Sequence, residues 1–287
     1  MCDQAESLRN QLTNNKGQAK TIAFASGKGG VGKSNIALNF AIELQQRKKS
    51  VLLFDLDVGM GNIDILLGSK SKYSIMNLFT DFLPIRGIIE LGPKNLSYIA
   101  GGTNLHELVH LDNERLDYFF SQYSELARIY DYIIFDLGAG ITSTTLSFIL
   151  AADECFMITT PEPTAITDAY SVVKQIVLHD KQFPIHLVVN RCQSKKEGKQ
   201  SVQRFKKVVA TFLETNMLQG SLLPNDRTVT TAVMKQIPYV LLNPQAPISK
   251  GLKNIVTEFL DHNNAPNQLK SISFVEKLTQ YLGVQRK

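Results

Sequence analysis

The stretch TIAFASGKGGVGKSNIALNFAIEL, from Thr21 to Leu44, joins an apolar, β-branched run to a segment of helical apolar spacing through a glycine-rich loop. The loop reads GxxxxGKS from Gly27 to Ser34. This strand–loop–helix order is what phosphate binding requires. The glycines let backbone N–H groups converge on phosphate oxygens, and the dipole of the following helix adds to the attraction. Gly27, Lys28, Gly29, Gly30, Val31 and Gly32 are therefore expected to form the cradle, with Lys33 reaching the β- and γ-phosphates and the Ser34 hydroxyl ligating Mg²⁺. The expected ligands are ATP or ADP with Mg²⁺.

Similar apolar runs recur outward from this loop: VLLFDLD from Val51, LSYIAGG from Leu96, YIIFDLG from Tyr132, CFMITTP from Cys155 and IHLVVNR from Ile185. Helical patterns separate them, so the expected class is α/β, a mostly parallel sheet with helices on both faces. With 287 residues, 44% hydrophobic and 20% charged, the chain has material for one sizeable core, which excludes intrinsic disorder. No uncharged apolar run reaches the roughly 18 residues of a spanning helix. The amino-terminal MCDQAESLRNQL has no basic segment followed by an apolar one, so a cytoplasmic location is expected. Cys2, Cys155 and Cys192 lack CxxC spacing, which argues against a disulfide framework or a zinc ribbon. A net charge of +5 does not choose between nucleotide, nucleic acid and acidic lipid.

Asp55 and Asp57, in VLLFDLDVGMGNID, fall at the carboxyl end of a strand, where open α/β sheets bind ligands. Asp136 ends YIIFD and opens DLGAG. A carboxylate there can hold Mg²⁺ through water, while Gly138 and Gly140 permit backbone movement when a terminal phosphate leaves. Lys28 is either a solvated loop charge or a cation that reaches a second chain. Asn190-Arg191 closes the IHLVVNR run, a place where Asn is also a common turn residue.

Taken together, KGGVGKS, DLDVGMGNID, DLGAG and VVNR, over roughly residues 20–260, resemble the MinD/ParA ATPases with their deviant Walker A box. The resemblance implies a homodimer that forms with ATP, in which Lys28 crosses to the partner's phosphates. It makes Lys28, Lys33 and Asp57 catalytic, Asp57 orienting the attacking water. Ser34, Asp55 and Asp136 surround Mg²⁺, and Asn62 belongs to the mobile switch with Gly138 and Gly140. Asn190 and Arg191 contact the adenine, and Pro224 and Asp226 lie in a base-flanking loop. Gly61, where MinD proper often carries arginine, and DLGAG in place of DxPAG depart from division-site MinD.

Three regions are expected: 1–20, a partner-activating segment; 21–265, the ATPase domain; and 266–287, a terminal amphipathic helix. Asp3 to Arg9 resembles the DQAxxLR element of the flagellar-number group of that family, FlhG. That resemblance implies slow ATPase activity, stimulation of an FlhF-type SRP GTPase through Gln4 and Arg9, and association with flagellar cytoplasmic-ring proteins. Ala5, Leu8 and Leu12 form only a narrow apolar stripe, as in segments that fold on a partner. Phe274, Val275, Leu278, Tyr281 and Leu282 fall on one helical face bordered by Lys270 and Lys277. Such a face suits anionic membrane lipid, and equally the protein's own core. Resemblance to the terminal helices of the family favours lipid and a peripheral place on the inner face of the cell membrane when ATP is bound.

Two other signals compete. His106-Glu-Leu-Val-His110 fits HExxH, the pattern of a zinc hydrolase, but it has no third ligand downstream and stands apart from a complete nucleotide motif. Arg191 to Lys207 holds seven basic residues against Glu197, a pattern that a ParA-like DNA-partitioning ATPase would use. Without interleaved aromatics a solvated or partner-binding helix is favoured, and no specific nucleic acid is expected.

Overall fold

Continuously apolar runs become strands when both of their faces are covered. The computed structural model describes residues 18–57, 62–101, 113–263 and 273–282. Each anticipated run is a strand in it: β1 (Lys20–Ser26), β2 (Val51–Leu56), β4 (Ser97–Ile99), β5 (Tyr132–Leu137), β6 (Glu154–Thr159) and β7 (Ile185–Cys192). Two strands were not foreseen: β3 (Glu90–Leu91) and β8 (Gln219–Pro224). The first is two residues long and antiparallel to β4. The second, QGSLLP, is an edge strand with only Leu223 buried, so it lacks the apolar signature of a doubly covered strand. The sheet order is β3-β4-β2-β5-β1-β6-β7-β8, parallel but for β3.

The helices are α1 (Lys33–Gln46), α2 (Asn62–Leu67), α3 (Ile75–Thr80), α4 (Asn113–Leu126), α5 (Ser143–Ala151), α6 (Pro163–His179), α7 (Lys195–Leu213), α8 (Arg227–Lys235), α9 (Tyr239–Leu242), α10 (Pro247–Asn263) and α11 (Phe274–Tyr281). Alternate residues of β1 face opposite layers: Ile22 and Phe24 pack with α1, α9 and α10, and Ala23 and Ala25 with α4 to α7 and α11. The first layer centres on Phe156, stacked on Phe24 at 5.0 Å and on His186 at 4.5 Å. At the amino end of the strands, buried Glu154 bonds His186 Nε2 at 2.6 Å and also Lys20, which in turn reaches Asn263. Burial alone would raise the Glu154 carboxyl, but His186 and then Lys20 outweigh it and hold the group below the usual glutamate range. The start of β1 is thereby tied to the end of α10.

The terminal helix is docked. Ser273 and Glu276 form a capping box at its start, and Phe274, Val275 and Leu278 are buried in the second layer. The Phe274 ring lies 4.6 Å from Tyr123 and 5.0 Å from Phe135, and Tyr281 and Leu282 pack partly against the same cluster. Lys277 sits 3.6 Å from Asp153. The face expected to enter lipid thus covers the protein's own core in this conformation, because an apolar face at helical spacing fits either surface.

Candidate functional site

The phosphate loop leaves β1 and caps α1 under tight steric limits. Gly30 and Gly32 have φ of 77° and 94°, a backbone region open to glycine at little cost. A Cβ on Gly27 would lie 2.2 Å from the Asp168 backbone in α6, and one on Gly32 would lie 2.5 Å from Asn190 Nδ2. Two of the expected roles, the phosphate cradle and the adenine contact, therefore meet here, since Asn190 also donates to the Val31 carbonyl at 2.8 Å. Lys33, only 4% exposed, bonds Asp136 Oδ1 at 2.5 Å, lies 3.5 Å from Asp57 Oδ2 and donates to Ser34 Oγ at 3.3 Å.

Asp55 and Asp136 are side by side because β2 and β5 pair in register at these residues. The Asp55 carboxylate accepts from the N–H groups of Asp57 and Ile63, both at 3.1 Å. Burial, followed by the neighbouring Asp136 charge, nevertheless pushes it up to about 7. Asp57 is also raised by burial, with Lys33 opposing. Asn62 donates to Asp57 at 3.2 Å, which links the anticipated switch residue to the anticipated water-orienting one. Asp136 Oδ2 is buried without a hydrogen-bond partner. An orphaned carboxylate oxygen, a second buried carboxylate and the Ser34 hydroxyl make a hard-oxygen donor set that fits Mg²⁺. Gly138 follows β5, and Gly140, at φ 82°, donates to the Ser26 carbonyl at 2.8 Å. Gly101, which no motif flagged, is packed so that a Cβ there would lie 3.2 Å from the Asp55 carboxyl carbon.

Beside the loop a cavity of about 550 Å³ is lined by Asn190, Arg191, Pro224 and Asp226, all anticipated, and by Thr160, Pro161, Gln193 and Tyr239, which were not. Arg191 is exposed, with φ 58°. Two of these side chains make bonds that the sequence did not announce. The Asn190 amide nitrogen is committed to Val31, and Asp226 caps α8, accepting from Thr228 and Ile248 N–H at 2.8 and 3.2 Å. Burial opposes ionisation of Asp226, but those backbone donors prevail and lower its pKa. Both residues shape the pocket wall through backbone bonds, a role that spacing alone does not reveal.

Lys28 stands apart from Lys33. It is 43% exposed and bonds Glu162 and Thr164, each at 3.3 Å, at the rim of the cavity. Glu162 carried no sequence signal. Gln4, Arg9, Gly61 and the HELVH segment lie outside the described residues. Lys195, Lys196, Lys199, Arg204 and Lys207 are exposed along α7.

The ParA family model, described as NUBPL iron-transfer P-loop NTPase, matches residues 17–260. The antiactivator FleN of Pseudomonas aeruginosa is 28% identical over 91% of this chain and 94% of its own length. The flagellum site-determining protein YlxH of Helicobacter pylori is 38% identical over 68% of this chain and 65% of its own. Among solved structures, the septum site-determining protein MinD of Pyrococcus horikoshii, complexed with Mg-ADP, superimposes with a TM-score of 0.69 at 21% identity, covering 87% of this chain and all of that one. The fold is therefore that of MinD. Iron transfer in the family description finds no exposed thiolate among the described residues: Cys155 and Cys192 are buried, and burial raises both thiols.

Replacing Gly32 with alanine is expected to weaken ADP binding about tenfold or more, since a side chain at φ 94° costs about 1–2 kcal/mol and also collides with Asn190. Titration calorimetry, with circular dichroism to verify folding, measures this. An unchanged affinity in a folded variant would contradict the steric account.

Proposed function

The chain belongs to the ParA family of P-loop NTPases and is an ATPase, and on that premise we propose that it is a slow, ATP-dependent dimerisation switch controlling flagellar number and placement. The observation that carries the switch is Lys28. Its own phosphate loop is served by buried Lys33, while Lys28 is held outward by Glu162 and Thr164, free to exchange those partners for the phosphates of a second chain. Hydrolysis then depends on dimerisation, as it does with an arginine finger supplied in trans.

Within one chain, the backbone N–H groups of the loop orient the phosphates, and Lys33 leaves Asp136 and Asp57 for the β- and γ-oxygens. Ser34, Asp55 and Asp136 would hold Mg²⁺, which neutralises charge on the phosphates when bound. Asp57, tethered by Asn62, orients the attacking water. Loss of the terminal phosphate relaxes the segments around Asn62, Gly138 and Gly140. The flagellar assignment rests on the likeness to FleN and YlxH and on the DQAESLR segment, whose Gln4 and Arg9 would stimulate an FlhF-type GTPase. Cytoplasmic-ring proteins are the further partners of this reading. In the ATP dimer α11 leaves its groove and sets Phe274, Val275, Leu278, Tyr281 and Leu282 into the headgroup layer of anionic lipid, two helices acting together.

Light scattering tests the switch. ATP should double the mass of the wild type, whereas Lys28→Ala should stay monomeric and lose hydrolysis while still binding ADP; an unchanged ATP dimer would reject the in-trans lysine. The ends are tested separately. Flotation with anionic liposomes should show stronger binding with ATP than with ADP and loss of binding in Phe274→Glu, and a peptide of residues 1–20 should accelerate GTP hydrolysis by an FlhF-type GTPase unless Gln4 or Arg9 is replaced by alanine. Equal flotation with both nucleotides would reject release of the helix, and an inert peptide would reject the flagellar assignment.

A further inference from the structure

The far edge of the sheet forms a second cleft whose chemistry the ATPase cycle does not use. Its floor is β8, which pairs with β7 alone among the described strands. A strand with one neighbour presents half of its backbone N–H and C=O groups outward, a template for another extended chain. The walls are α7 and α10, which pack on opposite faces of the sheet. Between them lies an open cavity of about 930 Å³ lined by Lys195, Lys199, Ser221, Lys250, Asn254 and Glu258, among others.

Two features keep the floor accessible. Small residues stand where bulk would fill the cleft or push its walls apart: a Cβ on Gly251 would lie 3.0 Å from Leu223, and one on Gly220 would lie 2.4 Å from Val202 of α7. The helices therefore sit close against the faces of β8 without closing over its edge. The charge is predominantly positive. Lys195, Lys199 and Lys250 are exposed and have no ion pair among the described residues, against one carboxylate in the lining, Glu258, which accepts from the Gln219 amide.

We propose that β8 is an acceptor edge for an extended, acidic peptide of a partner protein, added as a further strand and held at its side chains by Lys195, Lys199 and Lys250. Main-chain bonds supply affinity in such strand addition, and the walls select the side chains. The chain's own segments 1–17, 264–272 and 283–287 are poor occupants on charge. Asp3 and Glu6 are matched by Arg9 and Lys16 in residues 1–17; Lys270 is the sole charge of 264–272; Arg286 and Lys287 are the charges of 283–287. The cleft also meets the nucleotide cavity, since Gln193 and Pro224 line both, so a bound strand would abut the base-flanking loop. This inference does not depend on the flagellar reading.

The test uses the full chain and two fluorescent eight-residue probes, one alternating glutamate with valine and the other lysine with valine. Anisotropy should detect the acidic probe only, and 0.5 M salt should weaken it at least fivefold. Hydrogen exchange with the acidic probe bound should slow in β8 relative to the other strands. The variant Lys195→Glu/Lys199→Glu/Lys250→Glu changes exposed side chains outside the nucleotide site. It should retain ATP hydrolysis and lose at least tenfold in probe affinity. Equal binding of both probes, binding without protection of β8, or unchanged affinity in the triple variant would each overturn the proposal.

Discussion

The constraint on which the site depends is the burial of Lys33 between two carboxylates. A lysine 4% exposed, with Asp136 wholly buried at 2.5 Å, persists because each charge compensates the desolvation of the other. Their juxtaposition is set by sheet order: β5 lies between β2 and β1, so Asp136 comes beside Asp55 and opposite the loop that carries Lys33. The same arrangement leaves more acid than base at the centre. Asp55 is pushed up to about 7, and one oxygen of Asp136 has no partner. In the proposed reading, this internal ion pair is exchanged for phosphate on one side and a divalent cation on the other.

The same site is tied by hydrogen bonds and packing to more distant parts of the fold. Asn190 bridges the phosphate loop and the neighbouring cavity through a single amide bonded to Val31, and Asn62 bridges Asp57 and α2. The terminal helix closes the second layer, with Phe274 against Phe135 at 5.0 Å. Phe135 immediately precedes Asp136 in β5. The ring that α11 covers is therefore one residue along β5 from the carboxylate that bonds Lys33, on the opposite face of the sheet.

What could be seen in the sequence was what backbone chemistry demands locally. The glycines of the loop, the lysine after them and the carboxylates at strand ends announce themselves because phosphate and Mg²⁺ tolerate few alternatives there, and six apolar runs marked the doubly covered strands. The edge strand β8 was invisible for the complementary reason, since an edge has no need for continuous apolar residues. The face of α11 was legible, but its partner was not: Phe274, Val275 and Leu278 are equally suited to lipid and to core, and only tertiary packing decides. Glu162, Gly101 and the capping duty of Asp226 likewise follow from approaches between distant segments that no local pattern encodes.

The central claim, that Lys33 and Mg²⁺ divide what the internal ion pair now neutralises, is tested most directly by the gain in ADP affinity that Mg²⁺ confers, measured by titration calorimetry in the wild type and in Asp136→Asn. The account predicts a large gain in the wild type, because the cation offsets Asp55 and Asp136 while Lys33 turns to phosphate. It predicts that most of this gain disappears in the variant. An equal Mg²⁺ gain in both proteins would show that Asp136 serves only to hold Lys33, and would contradict the exchange.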